Sequence, residues 1–92
     1  MVGTNDIRSS IRKEIHLRQL SIDEALPKLD KYLNDVFMAG ISQIMVIHGK
    51  GTGTLRNAIN KQLSNHPLVK SYRQGNYGEG GTGVTIVEMS HR

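Results

Sequence analysis

The sequence predicts an α/β fold of order β-α-β-α-β-β: a two-layer sandwich in which a four-stranded mixed sheet carries both helices on one face and its last strand runs antiparallel. Three observations predict it. The apolar run Ile44-Met45-Val46-Ile47 passes through a glycine-rich turn into a helical stripe of Leu55, Ala58, Ile59 and Leu63, as a buried strand feeding a helix does. Ser21-Ile22-Asp23-Glu24 opens a longer helical stripe upstream. The chain then closes on the β-branched run Val84-Thr85-Ile86-Val87. Right-handed crossovers make the first three strands parallel and leave both helices on one side of the sheet. A return hairpin makes the fourth strand antiparallel.

Residues 1–12 read as an N-terminal extension or linker, polar around Ile7 and Ile11, and residues 13–90 as the domain. Glu14-Ile15-His16-Leu17-Arg18 alternates, with Ile15 and Leu17 on one face and His16 and Arg18 on the other, and is the first strand. Ser21 and Glu24 have the spacing of a capping box, in which a hydroxyl caps the helix and a carboxylate reaches back. Ile22, Ala25, Leu26, Leu29, Leu33, Val36 and Phe37 follow on one helical face, and Gly40 suits the residue just past the end. Pro27 is at odds with that helix, since an interior proline costs about 3 kcal/mol. The helix is therefore expected either to start later, near Asp23, or to bend in its first turns. Residues 41–47 are an apolar, central strand. The second helix runs from about Thr54 to Ser64 and stops before Pro67. Residues 68–72 are the third strand, Gly75 to Gly83 a long flexible turn, and Val84–Met89 the last strand.

Ninety-two residues make one small domain. A net charge of +4 admits an acidic partner such as nucleic acid without requiring one. The absence of cysteine excludes disulfides and thiolate metal sites and fits a cytoplasmic location. No apolar run approaches the ~18 residues of a membrane span, and residues 1–6 lack the apolar core of a signal peptide, so no membrane partner is expected. His16, His66 and His91 show no ligand spacing, and no metal-ligating residue is assigned. Asp23, Glu79 and Glu88 are carboxylates able to bind Mg²⁺, but no pair of them stands out.

The topology has a functional consequence. Chain leaving the first strand (Arg18, Gln19), the second (His48 to Gly53) and the third (Arg73 to Gly81) emerges at one end of the sheet, where ligands of open α/β sheets bind. The turn Gly49-Lys50-Gly51-Thr52-Gly53 aims backbone N–H groups and a positive helix end at one spot, which favours an anion. It is not a P-loop, because Gly51 follows Lys50 where Ser or Thr is needed. It is not a dinucleotide fingerprint either, because Thr54 stands in place of the third glycine. Lys50 suits a phosphate as a point charge and Arg56 as a bidentate donor. Arg56 in the first turn of a helix opposes the dipole, which weighs against a merely solvated role. His48, where the buried strand ends, reads either as a hydrogen-bonded structural histidine or as a proton-transfer group at a phosphodiester. Tyr77, in the glycine loop, is placed either to stack on an unpaired base or simply to tip a hairpin.

These residues resemble the Smr (small MutS-related) family. The resemblance is carried by Ile15-His16-Leu17-Arg18, by Glu24-Ala25-Leu26 with Leu29 and Leu33, and by Ile47-His48-Gly49-Lys50-Gly51-Thr52-Gly53-Thr54-Leu55-Arg56. This last segment contains the family's HGxG motif. His66-Pro67-Leu68-Val69 and Gly80-Gly81-Thr82-Gly83-Val84-Thr85-Ile86-Val87 complete it. The form is similar to the domain at the C-terminus of bacterial second-type MutS proteins. The resemblance implies a sandwich like the C-terminal domain of translation initiation factor three, binding to DNA or RNA and, in several members, endonuclease or nicking activity. In other members it implies a link to the ribosome or to RNA surveillance. One departure stands out. The family's first motif reads Leu-Asp-Leu-Arg/His-Gly, and here His16 replaces the Asp and Gln19 the Gly.

The expected function is therefore nucleic-acid binding, with phosphodiester cleavage as a further activity. His48 is the candidate acid or base, and His16 is a candidate second proton-transfer group. Arg18, Gly49, Lys50, Gly51, Thr52, Gly53, Arg56, Arg73, Tyr77, Gly80 and Gly81 are the candidate phosphate and nucleic-acid contacts. Mg²⁺ or Mn²⁺ is the cofactor to test if the domain cuts. Branched, nicked or single-stranded DNA or RNA is the expected partner, with the ribosome or the rest of a MutS-related chain as the protein-side alternative. The competing reading is a recognition module without catalysis.

Overall fold

The computed structural model describes residues 11–91. Over them the chain forms β1 (Glu14–His16), α1 (Ile22–Met38), β2 (Gln43–Ile47), α2 (Thr54–Ser64), β3 (Val69–Gln74) and β4 (Val84–Met89). Most of the extension assigned to residues 1–12 lies outside the described residues. The strands differ from expectation only at their ends. Arg18 has left β1, although the Leu17 N–H still donates to Ile47 O at 2.8 Å. β2 starts at Gln43, and β3 begins one residue later than expected and extends to Gln74.

Helix α1 starts at Ile22 in spite of Pro27, so a later start is ruled out. The Ser21 hydroxyl accepts from the Glu24 N–H at 3.2 Å, and the Glu24 carboxylate accepts from the Ser21 N–H at 3.0 Å. The Ser21 N–H holds the Glu24 carboxyl below its usual pKa. This reciprocal cap sets the entry to the helix. Pro27 lies on the exposed side, and so does Asp23, whose carbonyl loses its helical partner to the proline ring. Water can satisfy a carbonyl there. At the other end the Ile41 N–H donates to Val36 O and the Gly40 N–H to Phe37 O, with Gly40 at φ 75°. This is a Schellman ending.

The strand order is β1-β2-β4-β3, with β1 and β2 parallel and β4 antiparallel to both its neighbours. β1, β2 and β3 thus run the same way, and β4 inserts between β2 and β3. Register places Ile15, Val46 and Thr85 side by side and, by the two-residue period of strands, on one face with Ile44, Val87 and Met89. These residues, Thr85 apart, share one core with Ala25, Leu29, Leu33 and Val36 of α1 and with Ile59 and Leu63 of α2, so both helices cover that face. Burying each of those Leu and Ile side chains contributes on the order of 2 kcal/mol. The edges are β1, three residues long, and β3, exposed over most of its length with an irregular register between Val69 and Ser71. Short or irregular edges resist pairing with a second molecule.

The glycine loop is structured, which corrects the expected flexible turn. It contains two short 3₁₀ turns, Tyr77–Glu79 and Gly81–Gly83. The Asn76 carbonyl accepts from the Glu79 and Gly81 N–H groups at 2.8 and 3.0 Å. The Glu79 carboxylate accepts from the Asn76 N–H at 2.8 Å and takes two bonds from Arg73, at 2.8 and 3.0 Å. The Arg73 bonds, with help from Asn76, pull the Glu79 pKa down to about 2.

Candidate nucleic-acid interface

Two of the three converging segments form a cleft of about 450 Å³ at the carboxyl end of the parallel strands. The β1–α1 connection supplies Arg18 and Gln19, and the β2–α2 turn supplies His48 through Arg56. No Asp or Glu lines it. A hollow of similar size at the opposite end of β2 carries a single charged side chain, Lys13, and lacks this concentration of cations.

The turn is built around close approaches. Gly49 has φ 82°, and a Cβ there would lie 2.8 Å from Arg18 Cγ. The Arg18 stem therefore lies directly over the turn. A Cβ at Gly53 would lie 2.9 Å from Arg56 Nη2, so the Arg56 guanidinium folds back over the start of α2. A Cβ on Gly83 would lie 3.4 Å from Lys50 Cγ, so Gly83 backs the same turn. The His48 and Gly49 N–H groups both donate to Gly83 O, at 3.1 and 3.0 Å. By contrast, the N–H groups of Lys50, Gly51, Thr52 and Gly53 make no hydrogen bond among the described residues. Helix α2 starts at Thr54 after Gly53, which has no side chain to cap it, and the Thr54 N–H donates to the Thr52 hydroxyl at 3.4 Å. Thr52 and Thr54 share a hydroxyl contact of 3.0 Å beside it. Free N–H groups, the N-terminus of a helix and three cations meet here, which is the physical make-up of an anion site.

His48 is held from both sides. It is 4% exposed. Its Nδ1 lies 3.0 Å from Gly49 O and its Nε2 lies 2.8 Å from Thr85 Oγ1. Thr85 Oγ1 is in turn 3.1 Å from the Asn60 side-chain amide. Burial, with a further push from the Arg56 cation, keeps its pKa below the ordinary histidine value against the opposing hydrogen bond to Gly49. Both ring nitrogens thus have a hydrogen-bond partner. The sequence by itself gives no site role to Thr85, Asn60 or Gly83. A threonine in an otherwise apolar buried strand was the available signal.

His16 does not join His48. Ile15 and Leu17 on either side of it are buried in the core, so His16 turns outward, where its nearest ionic partner is Glu14 at 3.7 Å. Arg73, Tyr77, Gly80 and Gly81 are not part of the cleft wall. Both terminal nitrogens of Arg73 bond Glu79. Gly80 and Gly81 shape the loop. Tyr77 is fully exposed at 102%.

Gln19 has φ 72° and is the one non-glycine residue with positive φ among the described residues. Gln19→Gly should therefore raise stability by up to about 1 kcal/mol. Denaturant midpoints of the two proteins check this, and an unchanged or lower midpoint would refute it.

A profile of the Smr domain matches residues 15–90. The chain belongs to the Smr family. It is 56% identical over 80 residues to a protein of Clostridium novyi (strain NT) named Endonuclease MutS2, covering 87% of this chain and 10% of that one. The chain thus spans about a tenth of the length of such relatives. The crystal structure of the Smr domain of Thermus thermophilus MutS2 superposes with a TM-score of 0.83 at 42% identity, over 86% of this chain and 99% of that one. YdaL, a stand-alone small MutS-related protein from Escherichia coli, shares the fold with a TM-score of 0.81 at 19% identity, over 87% and 65% of the two chains. This is therefore a Smr domain of the kind found in MutS2 proteins. None of its helices is long and apolar enough to cross a membrane, among the described residues.

Proposed function

We propose that this Smr domain binds the phosphodiester backbone of nucleic acid in the cleft between the β1–α1 connection and the β2–α2 turn. The observation that carries the reading is the composition of that cleft: Arg18, Lys50 and Arg56 around four unbonded backbone N–H groups, with no carboxylate in its wall. A phosphate oxygen entering there meets charge-assisted donors and no opposing charge. Backbone contacts of this kind position a nucleic acid without reading its sequence. Unpaired or branched substrates are favoured if the exposed Tyr77 stacks on a base.

Cleavage is the second reading, favoured by the name Endonuclease MutS2 borne by relatives. The donors in the cleft do not fit Mg²⁺ or Mn²⁺, because no carboxylate is present and three cations would repel the ion. No group of three or more His, Asp or Glu side chains gathers elsewhere among the described residues. His48 would act as acid or base only after Nε2 left Thr85, and the position that the family's motif gives to Asp holds an outward-facing His16.

The test is a gel shift on nicked, branched and single-stranded DNA and on structured RNA. A supercoiled-plasmid nicking assay is run beside it with Mg²⁺, Mn²⁺ and EDTA. Shifted bands without product are the expected outcome. Product that disappears in His48→Ala would establish the second reading, and absence of any shift would end the first.

A further inference from the structure

We propose that Asn60 and Thr85 are positioning residues of the anion-binding turn: they lock the ring of His48 so that it holds the Gly49 carbonyl and leaves the Lys50 N–H presented to a bound phosphate. The inference rests on the binding reading above and deepens it.

The protons in this chain of contacts can be counted. The His48 Nδ1 is 3.0 Å from Gly49 O. A carbonyl only accepts, so Nδ1 must carry a proton; a bare nitrogen lone pair facing that oxygen would be repelled. The Nε2 is 2.8 Å from the Thr85 hydroxyl, and that hydroxyl has one proton to give. If Thr85 gives it to the Asn60 carbonyl oxygen, which faces it at 3.1 Å, then Nε2 must donate as well and the ring is an imidazolium. That charge would sit in a buried site close to the Arg56 cation, and both factors oppose it. The consistent arrangement turns the Thr85 hydroxyl onto Nε2 and the Asn60 amide N–H onto Thr85 Oγ1. The oxygen and nitrogen ends of an amide are nearly identical in shape, so the same side-chain position serves both.

The effect on the turn follows from peptide geometry. In a trans peptide the C=O of Gly49 and the N–H of Lys50 point in opposite directions. Nδ1–H fixes the carbonyl toward the imidazole, so the Lys50 N–H points away from it, and it makes no hydrogen bond within the described residues. The Gly49 N–H on the other side of the residue is already anchored to Gly83 O. Gly49 is thus tied by its amide to Gly83, in the turn that leads into β4, and by its carbonyl to His48. The chain of contacts runs from α2 (Asn60) through β4 (Thr85) to the end of β2 (His48), joining the elements that flank the cleft.

Two measurements on the 92-residue chain test this. The first is the ¹⁵N pattern of the His48 ring in the free protein. It should show one protonated nitrogen, Nδ1. Asn60→Asp supplies only an acceptor to the Thr85 hydroxyl, so it should drive a proton onto Nε2 as well. An Nε2–H ring in the wild type, or an Asn60→Asp ring identical to wild type, would overturn the proposal. The second is affinity for a fluorescein-labelled nicked DNA duplex. Thr85→Val should weaken it about tenfold, the scale of one hydrogen bond to a charged group. The salt dependence should stay unchanged because no cation is lost, and Thr85→Ser should restore binding. Thr85→Val binding as tightly as wild type would overturn the proposal. If Thr85→Val does not fold, the ring pattern of Asn60→Asp decides the proposal by itself. If the wild type does not bind the duplex, the binding reading fails while the ring pattern still decides how His48 is held.

Discussion

Replacing Arg18, Lys50 and Arg56 together by alanine should reduce both the affinity for duplex DNA and its sensitivity to salt. Each cation that neutralises one phosphate adds about 0.9 to the slope of log K against log salt, so losing three should flatten that slope by about 2.7. Single substitutions should each cost roughly tenfold, the scale of a charge-assisted hydrogen bond. The effect should be equal across sequences, because phosphate contacts carry no base information. The control is Lys70→Ala. Lys70 lies on β3, 3.7 Å from Glu88 and outside the cleft wall, and its loss should leave the slope unchanged. Titrations at several salt concentrations measure this directly. A triple variant with the wild-type slope would show that the cleft is not where nucleic acid sits. The Arg56 variant has a second readout. Without the neighbouring cation the His48 pKa should rise toward its ordinary value, since Arg56 now helps to hold it down.

The largest loss of stability should come from Gly80→Ala, outside the cleft. Gly80 has φ 109°, and a Cβ there would lie 2.5 Å from Val84 Cγ2. Val84 is buried at the start of β4, so neither partner can move away freely. Backbone strain and overpacking each cost about 1–3 kcal/mol. Their sum should lower the melting temperature by roughly 10–30 °C in a domain of this size. Gly81→Ala is the matched comparison. Its φ is 58°, and a Cβ there meets nothing within 4 Å, so it should cost only about 1 kcal/mol. Thermal melts of the two variants settle the contrast, and equal melting temperatures would disprove it. If the loop were the flexible turn that its five glycines between Gly75 and Gly83 suggest, neither substitution would matter. The bonds of Asn76 and the Arg73–Glu79 pair are why the first should.

Local signals proved legible wherever they were redundant. The capping box of Ser21 and Glu24, the stripe from Ala25 to Val36 and the Gly40 ending all describe one helix, and together they outweigh Pro27. Their agreement matters because each is a short-range interaction completed within a few residues. The strand order was not legible. Nothing in the composition of β4 says that it enters between β2 and β3, because that choice depends on which neighbours bury Ile86, Val87 and Met89. The order in the loop is illegible for a related reason. Arg73 and Glu79 each look like solvated charges, and only their 2.8 Å approach converts them into a clasp.

The functional residues divide along the same line. By itself the chain determined the β-α-β-α-β-β order, the shared direction of the first three strands, and hence the end of the sheet where Arg18, Lys50 and Arg56 meet. All of that follows from periodicity and the handedness of crossovers, which are local or chiral rules. Only the tertiary structure decided how the two candidate catalytic histidines are held. His48 is bonded at both ring nitrogens by Gly49 and by Thr85, 37 residues away, and His16 faces out between two core residues. The role of a titratable side chain is set by its burial and by which donors and acceptors reach it, and those partners come from distant parts of the chain that only the packed sheet and helices bring together.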